Sequence, residues 1–428
     1  MFWEREFWDS KGKMVKPSGQ RAFVISDGVE VSWNWGAKGK TEVNWDEWDA
    51  FHSHCGSTSV FLCSRMMRVL LRCQERPVGA VIWRKAGAIV GIACIEDSFA
   101  ESVNLDDHVA SERSWFNVIS KLVHGRSGRF TFKVRVVGTV LGSGEHGQLW
   151  SEAIAAQDRD RWLKETIFQS VDLSGDGIPK VVMVKDQPIL HNNRRQATYE
   201  GWIPLEFDPE MLFHCDPKWE GFDSYLAQLK TKARTKINRI MSLSEGLEIH
   251  PWSLDSIERE GDALIDLYRR VFERSGFRLG SLHQSELVES KRTWGDDFVV
   301  NGYYLNQQLV GFQCAYVGAE ELEAFFVGFE PELLKSHAIY QRMLVEFICL
   351  GLKRKCKRVN MGRTALEIKS SVGALPRRLQ CDVRFKNPLF HRIVRWYTGG
   401  YDPAKISLRQ AWKADAYPLV RHSEIHSI

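Results

Sequence analysis

The sequence predicts an α/β chain built as two tandem units, each a mixed, mostly antiparallel sheet flanked by helices. Two observations predict it. The order apolar hairpin, strand, histidine-bearing loop, helix, short strand occurs twice in the same succession. Between the two occurrences Pro204, Pro209 and Pro217 interrupt the patterns, as breakers between units do. The expected division is an N-terminal arm over 1–19, a first unit over 20–212 and a second over 213–428.

The first hairpin is "RPVGAVIWRKAGAIVGIACIED" over 76–97, two apolar runs around a turn at Lys85 to Gly87. Its counterpart is "FVVNGYYLNQQLVGFQCAYVG" over 298–318, with a turn at Asn306 to Gln308. The second strand of each opens on Val-Gly, at Val90-Gly91 and Val310-Gly311. A third strand then runs into a loop, "FTFKVRVVGTVLGSGEHG" in the first unit and "LEAFFVGFEPELLKSHA" in the second. The loops carry Gly138 and His146, then Gly328 and His337, at spacings of 8 and 9.

A helix follows each histidine. The second has apolar residues at 339, 343, 344, 347, 348 and 352, a period near 3.6, and the first is expected over 147–168. Short strands at 179–185 and 357–363 close the units. The first unit alone inserts about 30 residues before its third strand, with a helix expected near Glu112 to His124. The second opens with a helix whose apolar face is 222, 226, 229, 233, 237 and 240, then a strand in "GLEIHPW" and helices near 255–273 and 283–294.

Hydrophobic residues make up 44% of the 428 and charged residues 26%, so each half can bury a core. A net charge of +4 is too small for general coating of nucleic acid. The nine cysteines contain no CxxC pair and mostly sit in apolar runs, which reads as free thiols in a reducing compartment, the cytoplasm. "HSHC" (His52, His54, Cys55) has no second cluster to complete a metal site, and no metal is expected. Charged residues at Glu4, Arg5, Glu6 and Asp9 exclude a secretory core, and no window has the length and apolarity of a membrane span. "MFWEREFW" offers Phe2, Trp3, Phe7 and Trp8, either a packing arm or a peripheral contact with the inner face of a membrane.

The segment "GRTALEIKSSVGALP" over 362–376 concentrates chemistry. It follows a short central strand, so it starts at a carboxyl edge, where open sheets gather ligands. Arg363, Lys369, Ser370 and Ser371 are donors for a carboxylate or phosphate. On a helix, Arg363 and Glu367 would instead pair with each other. In "GSGEHG", Gly142, Gly144 and Gly147 surround Glu145 and His146, which suits either a backbone held open for a ligand or a tight turn. Lys230, Lys232, Arg234, Lys236 and Arg239 decorate a helix, as a solvated face or a docking surface for an acidic partner.

The order of elements resembles the Gcn5-related N-acetyltransferases. The tandem arrangement resembles the Fem-type peptidoglycan aminoacyltransferases and the peptidoglycan-biosynthesis-like bacterial N-acyltransferases. Three stretches carry this: the entry helix "YLAQLKTKARTKI", the loop "GSGEHG" and the block "GRTALEIKSSVGA". The resemblance spans roughly 20–400 and implies a tandem acyl-CoA N-acyltransferase fold. It implies transfer of an acyl or aminoacyl group to an amine acceptor, in cell-envelope or small-molecule metabolism.

The implied co-substrate is an acyl-CoA or acyl-carrier-protein thioester, with the donor's pyrophosphate on backbone N–H groups, or else an aminoacyl-tRNA. A carrier protein or tRNA would dock on the basic helix 230–239. The chain departs from the pattern at "ELLKSHAIY", which lacks the glycine that close approach to a pyrophosphate favours. Under this resemblance Glu367 or His337 would take the amine proton and Tyr340 would protonate the leaving group. Lys369, Arg363 and Ser370 would bind acceptor or donor, with Gly142, Gly144, Glu145 and His146 as the first unit's donor loop. The alternative is a catalytically inert module that keeps the fold to recognise a carrier protein or envelope precursor.

Overall fold

A computed structural model describes residues 19–35, 43–73, 75–102, 130–168, 179–189, 200–274, 277–398, 407–414 and 416. The expected helix near 112–124 and the aromatic arm 1–18 lie outside the described residues.

The chain opens with strands β1 (Gly19–Val24) and β2 (Glu30–Trp35) and helices α1 (Trp45–His54) and α2 (Ser64–Cys73). The first hairpin is β3 (Val78–Lys85) and β4 (Ala88–Ser102), followed by β5 (Phe130–Val137), β6 (Gln148–Trp150), α3 (Ala156–Ile167), β7 (Val181–Pro188) and β8 (Ile203–Glu206). Then come β9 (Glu210–His214), α4 (Phe222–Gln228), α5 (Thr231–Leu243), β10 (Glu248–Pro251), α6 (Leu254–Phe272), β11 (Phe277–Arg278) and α7 (Gln284–Trp294). The second hairpin is β12 (Phe298–Leu305) and β13 (Gln308–Val317), followed by β14 (Glu321–Phe329), α8 (Leu333–Ser336), α9 (Ile339–Lys353) and β15 (Arg358–Asn360). Last are α10 (Leu366–Ser371), β16 (Leu375–Arg377), β17 (Leu379–Phe385) and α11 (Pro388–Thr398).

Two mixed sheets result, and their orders correspond. The first runs β1-β2-β3-β4-β5-β7-β17-β8, and the second β10-β12-β13-β14-β15-β9-β16. In each, an antiparallel hairpin and third strand meet a parallel strand, β7 on β5 and β15 on β14. The repeated Val-Gly has a shared physical cause. Trp83 pairs with Gly91 and Arg84 with Ile89, so Val90 is an extra, bulged residue. Tyr303 pairs with Gly311 and Tyr304 with Leu309, so Val310 is bulged at the same place. The glycine beyond each bulge admits a large neighbour. A Cβ on Gly91 would stand 2.4 Å from the Trp150 ring, and one on Gly311 2.8 Å from Met343.

The sheets exchange strands. β9 leaves the first unit and pairs antiparallel with β15, while β17 leaves the second and inserts between β7 and β8. Residues 379–398, which a linear division assigns to the second unit, therefore add β17 and α11 to the first sheet. Pro204 sits on β8, at the edge of that sheet, where its missing N–H costs no ladder bond. A core shared by both halves binds them further. Met66, Met67 and Leu70 of α2 join Leu264, Leu287, Phe312 and Tyr316 in one buried cluster.

Three local expectations are corrected. Gln148–Trp150 is a strand on β4, so the first helix starts at Ala156 rather than 147. The helix expected across 222–240 breaks at Leu229 and Lys230. Both are extended there because Leu229 bridges to Trp412 and the Lys230 N–H donates to the Ala411 carbonyl at 2.8 Å. The strand expected over 357–363 ends at Asn360.

Candidate functional site

The two crossings of chain from sheet to sheet lie side by side. The three residues 207–209 join β8 to β9, and Arg378 alone joins β16 to β17. Around them gather the loop after β5, the end of β7 and the loop after β15. The two sequence blocks "GSGEHG" and "GRTALEIK" therefore meet, although they lie in different halves. Asn360 Nδ2 donates to the Ser143 carbonyl at 3.1 Å and to Glu210 Oε2 at 3.2 Å, while its Oδ1 accepts the Gly362 N–H at 2.9 Å.

Asp186, fully buried at the end of β7, is the hub of the charges. Its carboxylate accepts from the Gly144 N–H at 2.9 Å, from Lys185 Nζ at 2.7 Å and from Arg363 Nη2. Burial alone would raise this carboxyl. The Lys185 ammonium and Arg363 guanidinium outweigh it and hold Asp186 well below the usual carboxylate range. Arg363 Nη1 also donates to the Asp208 carbonyl at 2.7 Å. Glu210 is buried beside it, ion-paired with Arg377 Nε, whose Nη1 reaches Glu145 at 3.2 Å.

His146 is buried and neutral. Its Nε2 lies 2.8 Å from the Ser143 carbonyl, which can only accept, so the proton sits on Nε2 and Ser59 donates to Nδ1 at 2.6 Å. Burial, with help from Lys185, pushes this imidazole down to about 3. Glu323 Oε1 stands 3.5 Å from Nε2. Burial, then the neighbouring Glu321 and Glu210, push the Glu323 carboxyl well above its usual range, so it holds its proton. The pair is a neutral acid beside a neutral imidazole.

The glycines of this loop serve packing. The Gly144 backbone is left-handed at φ +118°, and a Cβ there would lie 2.7 Å from His146 Nε2. One on Gly142 would lie 2.7 Å from the Phe61 ring. The expected contrast between an open backbone and a tight turn resolves, for these residues, as a turn folded onto Asp186.

Arg363 and Glu367 do not pair. Thr364 and Ala365 are left-handed, at φ 66° and 49°, so α10 starts only at Leu366 and the two side chains diverge. Glu367 turns outward to Arg409, with the two side chains 51% and 58% exposed. Ser370 Oγ donates to the Glu367 carbonyl at 3.0 Å and accepts the Arg409 N–H at 2.9 Å. Lys369 is buried and faces the carbonyls of Gly362, at 3.3 Å, and Arg363. It staples the left-handed turn.

Burial lowers the Lys369 ammonium to about 7, opposed by Asp208. The folded pKa is below the unfolded one, so the unfolded chain binds more protons between about 7 and 10.5. Stability carried by this group is expected to rise with pH across that window, by up to ~1.4 kcal/mol per unit. Lys369→Met should flatten that slope, read from urea midpoints at a series of pH values. An unchanged slope would show that Lys369 is not the group titrating.

His337 and Tyr340 lie elsewhere, at the entry to α9. His337 is half-buried, with Nδ1 3.0 Å from Ser336 Oγ. Tyr340 packs 5.8 Å from the Phe329 ring, and burial pushes its phenol up, so it stays protonated. The two repeated histidines thus have different surroundings, one buried at the crossing and one beside α9.

Near Tyr340 the second sheet opens. β14 and β15 pair in parallel only from Glu321–Arg358 to Glu323–Asn360. Beyond Asn360 the chain stays with β9, through Met361 N–H to the Met211 carbonyl at 2.9 Å and Met211 N–H to the Gly362 carbonyl at 3.0 Å. Among the described residues, the flank of β14 over 324–329 is left without a strand on that side, and residues 324–327 are half-buried. Among the described residues, the first unit has no such opening. There the parallel ladder runs four pairs, from Val134–Val181 to the end of β5 at Val137–Val184.

Sequence reading missed Asp186, Lys185, Glu210, Asn360, Arg377 and Glu323. Their signal would have been polar residues at the ends of otherwise apolar strands, as in "VVMVKD" and "KRVN". Among the described residues no group of three His, Cys, Asp or Glu converges as metal ligands do.

No family model and no curated protein matches the chain. Several solved structures are similar to it at low identity. FemX is 9% identical, covering 83% of this chain and 99% of its own, with a TM-score of 0.45. The C-terminal domain of a putative lysylphosphatidylglycerol synthetase from Agrobacterium fabrum is 10% identical, covering 83% and 95%, at 0.43. A tandem GNAT protein from the clavulanic acid biosynthesis pathway is 9% identical, covering 87% and 99%, at 0.43.

Proposed function

We propose that this chain is an N-acyltransferase whose donor is a thioester held along the free flank of β14 in the second unit. The observation that carries the reading is the early end of the β14–β15 ladder. Backbone amides facing a slot are a template for another extended chain. The arm shared by coenzyme A and acyl-carrier protein has amides of its own and can continue such a ladder without glycine. A tRNA ester has no such arm, so the slot favours a thioester donor. The closed ladder of the first unit is consistent with a supporting role for it.

In the proposed step the acceptor's neutral amine attacks the thioester carbonyl. A carbon–nitrogen bond forms, the carbon–sulfur bond breaks, the amine loses a proton and the departing thiolate gains one. Tyr340, on α9 beside Val327 and Phe329, is the proton donor to the thiolate. His337, rather than the outward-turned Glu367, is the acceptor of the amine proton. Arg363 and Lys369 hold the turn after β15 in shape instead of binding substrate, because Asp186 and two carbonyls already occupy them. An amine acceptor approaches from the crossing, and a carrier protein would dock on the basic face of α5.

Amide hydrogen exchange tests this directly. Adding acyl-CoA or acyl-carrier-protein thioester should protect the segment 324–329 and leave 134–137 unchanged. Protection confined to the first unit, or none with either thioester, would reject the slot. Protection with no acyl transfer to any amine would favour the inert recognition module.

A further inference from the structure

We propose that α11 is a docking face for an anionic membrane surface, independent of the transfer chemistry. Helix α11 is apolar on two sides. Toward the protein, Val394 is 1% exposed and packs in a cluster with Phe385 and Phe390. Toward solvent, Leu389, Ile393 and Trp396 are 68%, 38% and 81% exposed, at helical spacings of four and three. Among the described residues these are three of the six large apolar side chains most open to water.

Cations accompany the stripe. A cavity of about 360 Å³ opens beside α11, lined by Phe168, Arg384, Phe385, Lys386, Arg392 and Arg395 among others. No acidic side chain lines it among the described residues. Arg384, Lys386 and Arg392 around one hollow favour an anion there. His391, also at the cavity, is oriented by donating from Nε2 to the Gly201 carbonyl at 2.9 Å. A cationic hollow with guanidinium groups, beside an exposed Leu, Ile and Trp, matches the headgroup and acyl boundary of an anionic bilayer. A free polyanion would use the cations and leave the apolar stripe without purpose. The helix lies on the surface rather than crossing it, because no helix among the described residues is long and apolar enough to span a membrane.

This face lies away from the crossing at Asp186. Phe385 of β17 pairs with Val181, at the opposite end of β7 from Asp186.

The test is co-sedimentation of the full chain with vesicles of phosphatidylserine and phosphatidylcholine against phosphatidylcholine alone. Binding is expected only with the anionic vesicles. Arg392→Glu with Arg395→Glu should lower it at least about tenfold, as should Leu389→Ser with Trp396→Ser. Unchanged melting curves would show that both variants fold. Two results would overturn the proposal for a wild-type chain that binds. Binding unaffected by either pair would place the contact elsewhere, and loss in the charge variant alone would mean simple ion attraction. A wild-type chain that ignores vesicles, or that binds inorganic polyphosphate or RNA in their place, would also overturn it.

Discussion

Arg363→Ala is expected to destabilise the fold by about 3–5 kcal/mol, because it strips one cation from a carboxylate that has no access to water. Asp186 is fully buried and would keep Lys185, the Gly144 N–H and the weak Cys381 thiol donor at 3.5 Å. The pair joins the end of β7, in the first sheet, to the turn after β15, in the second. Its loss should therefore loosen the contact between sheets rather than one unit. Chemical denaturation of the single variants and of Asp186→Asn with Arg363→Met measures the coupling. A double variant as destabilised as the sum of the singles would show that the two charges act separately.

The pair also fixes an acid response. The Asp186 carboxyl lies below its ordinary value of 3.8, so its contribution is complete above that pH and is lost as pH falls below it. Arg363→Met should blunt the acid unfolding of the wild type in that range. An identical acid limb in both proteins would contradict the placement of the charge.

Tyr340→Phe is expected to lower turnover roughly 100-fold or more while leaving the donor's binding nearly unchanged, the signature of a lost proton donor. The ring that packs on Phe329 is retained in Phe, so stability should move by less than about 1 kcal/mol. The split between kcat and KM is the measurement that matters. A rise in KM alone would make Tyr340 a wall of the slot. An unchanged kcat would leave protonation of the thiolate to water, and the role of Tyr340 would end there. His337→Gln in the same assay should shift the pH profile of kcat if it takes the amine proton.

What was legible in the sequence follows from short-range physics. The hairpins at 76–97 and 298–318, their turns at Ala86-Gly87 and Asn306-Gln307, and the helix 339–353 depend on residues a few positions apart. The paired Val-Gly is visible as a repeat, whereas its cause, a bulge in each second strand, is a feature of the fold. The blocks "GSGEHG" and "GRTALEIK" come together through Ser143 and Asn360.

Their chemistry was not legible. Arg363 binds Asp186, 177 residues away, and Arg377 binds Glu145, 232 residues away. No local pattern encodes such partners. Glu367 stands four residues from Arg363, a helical pairing distance, but two left-handed residues turn the helix start and send it to Arg409.

The sequence by itself determined two sheets of the same succession, because periodicity and turn residues act locally. Only the tertiary structure decided that the sheets trade β9 for β17 and that one parallel ladder closes while the other stops after three pairs. Strand exchange and splay are settled by which buried edges find partners across the whole chain, and that competition leaves no mark on any single segment.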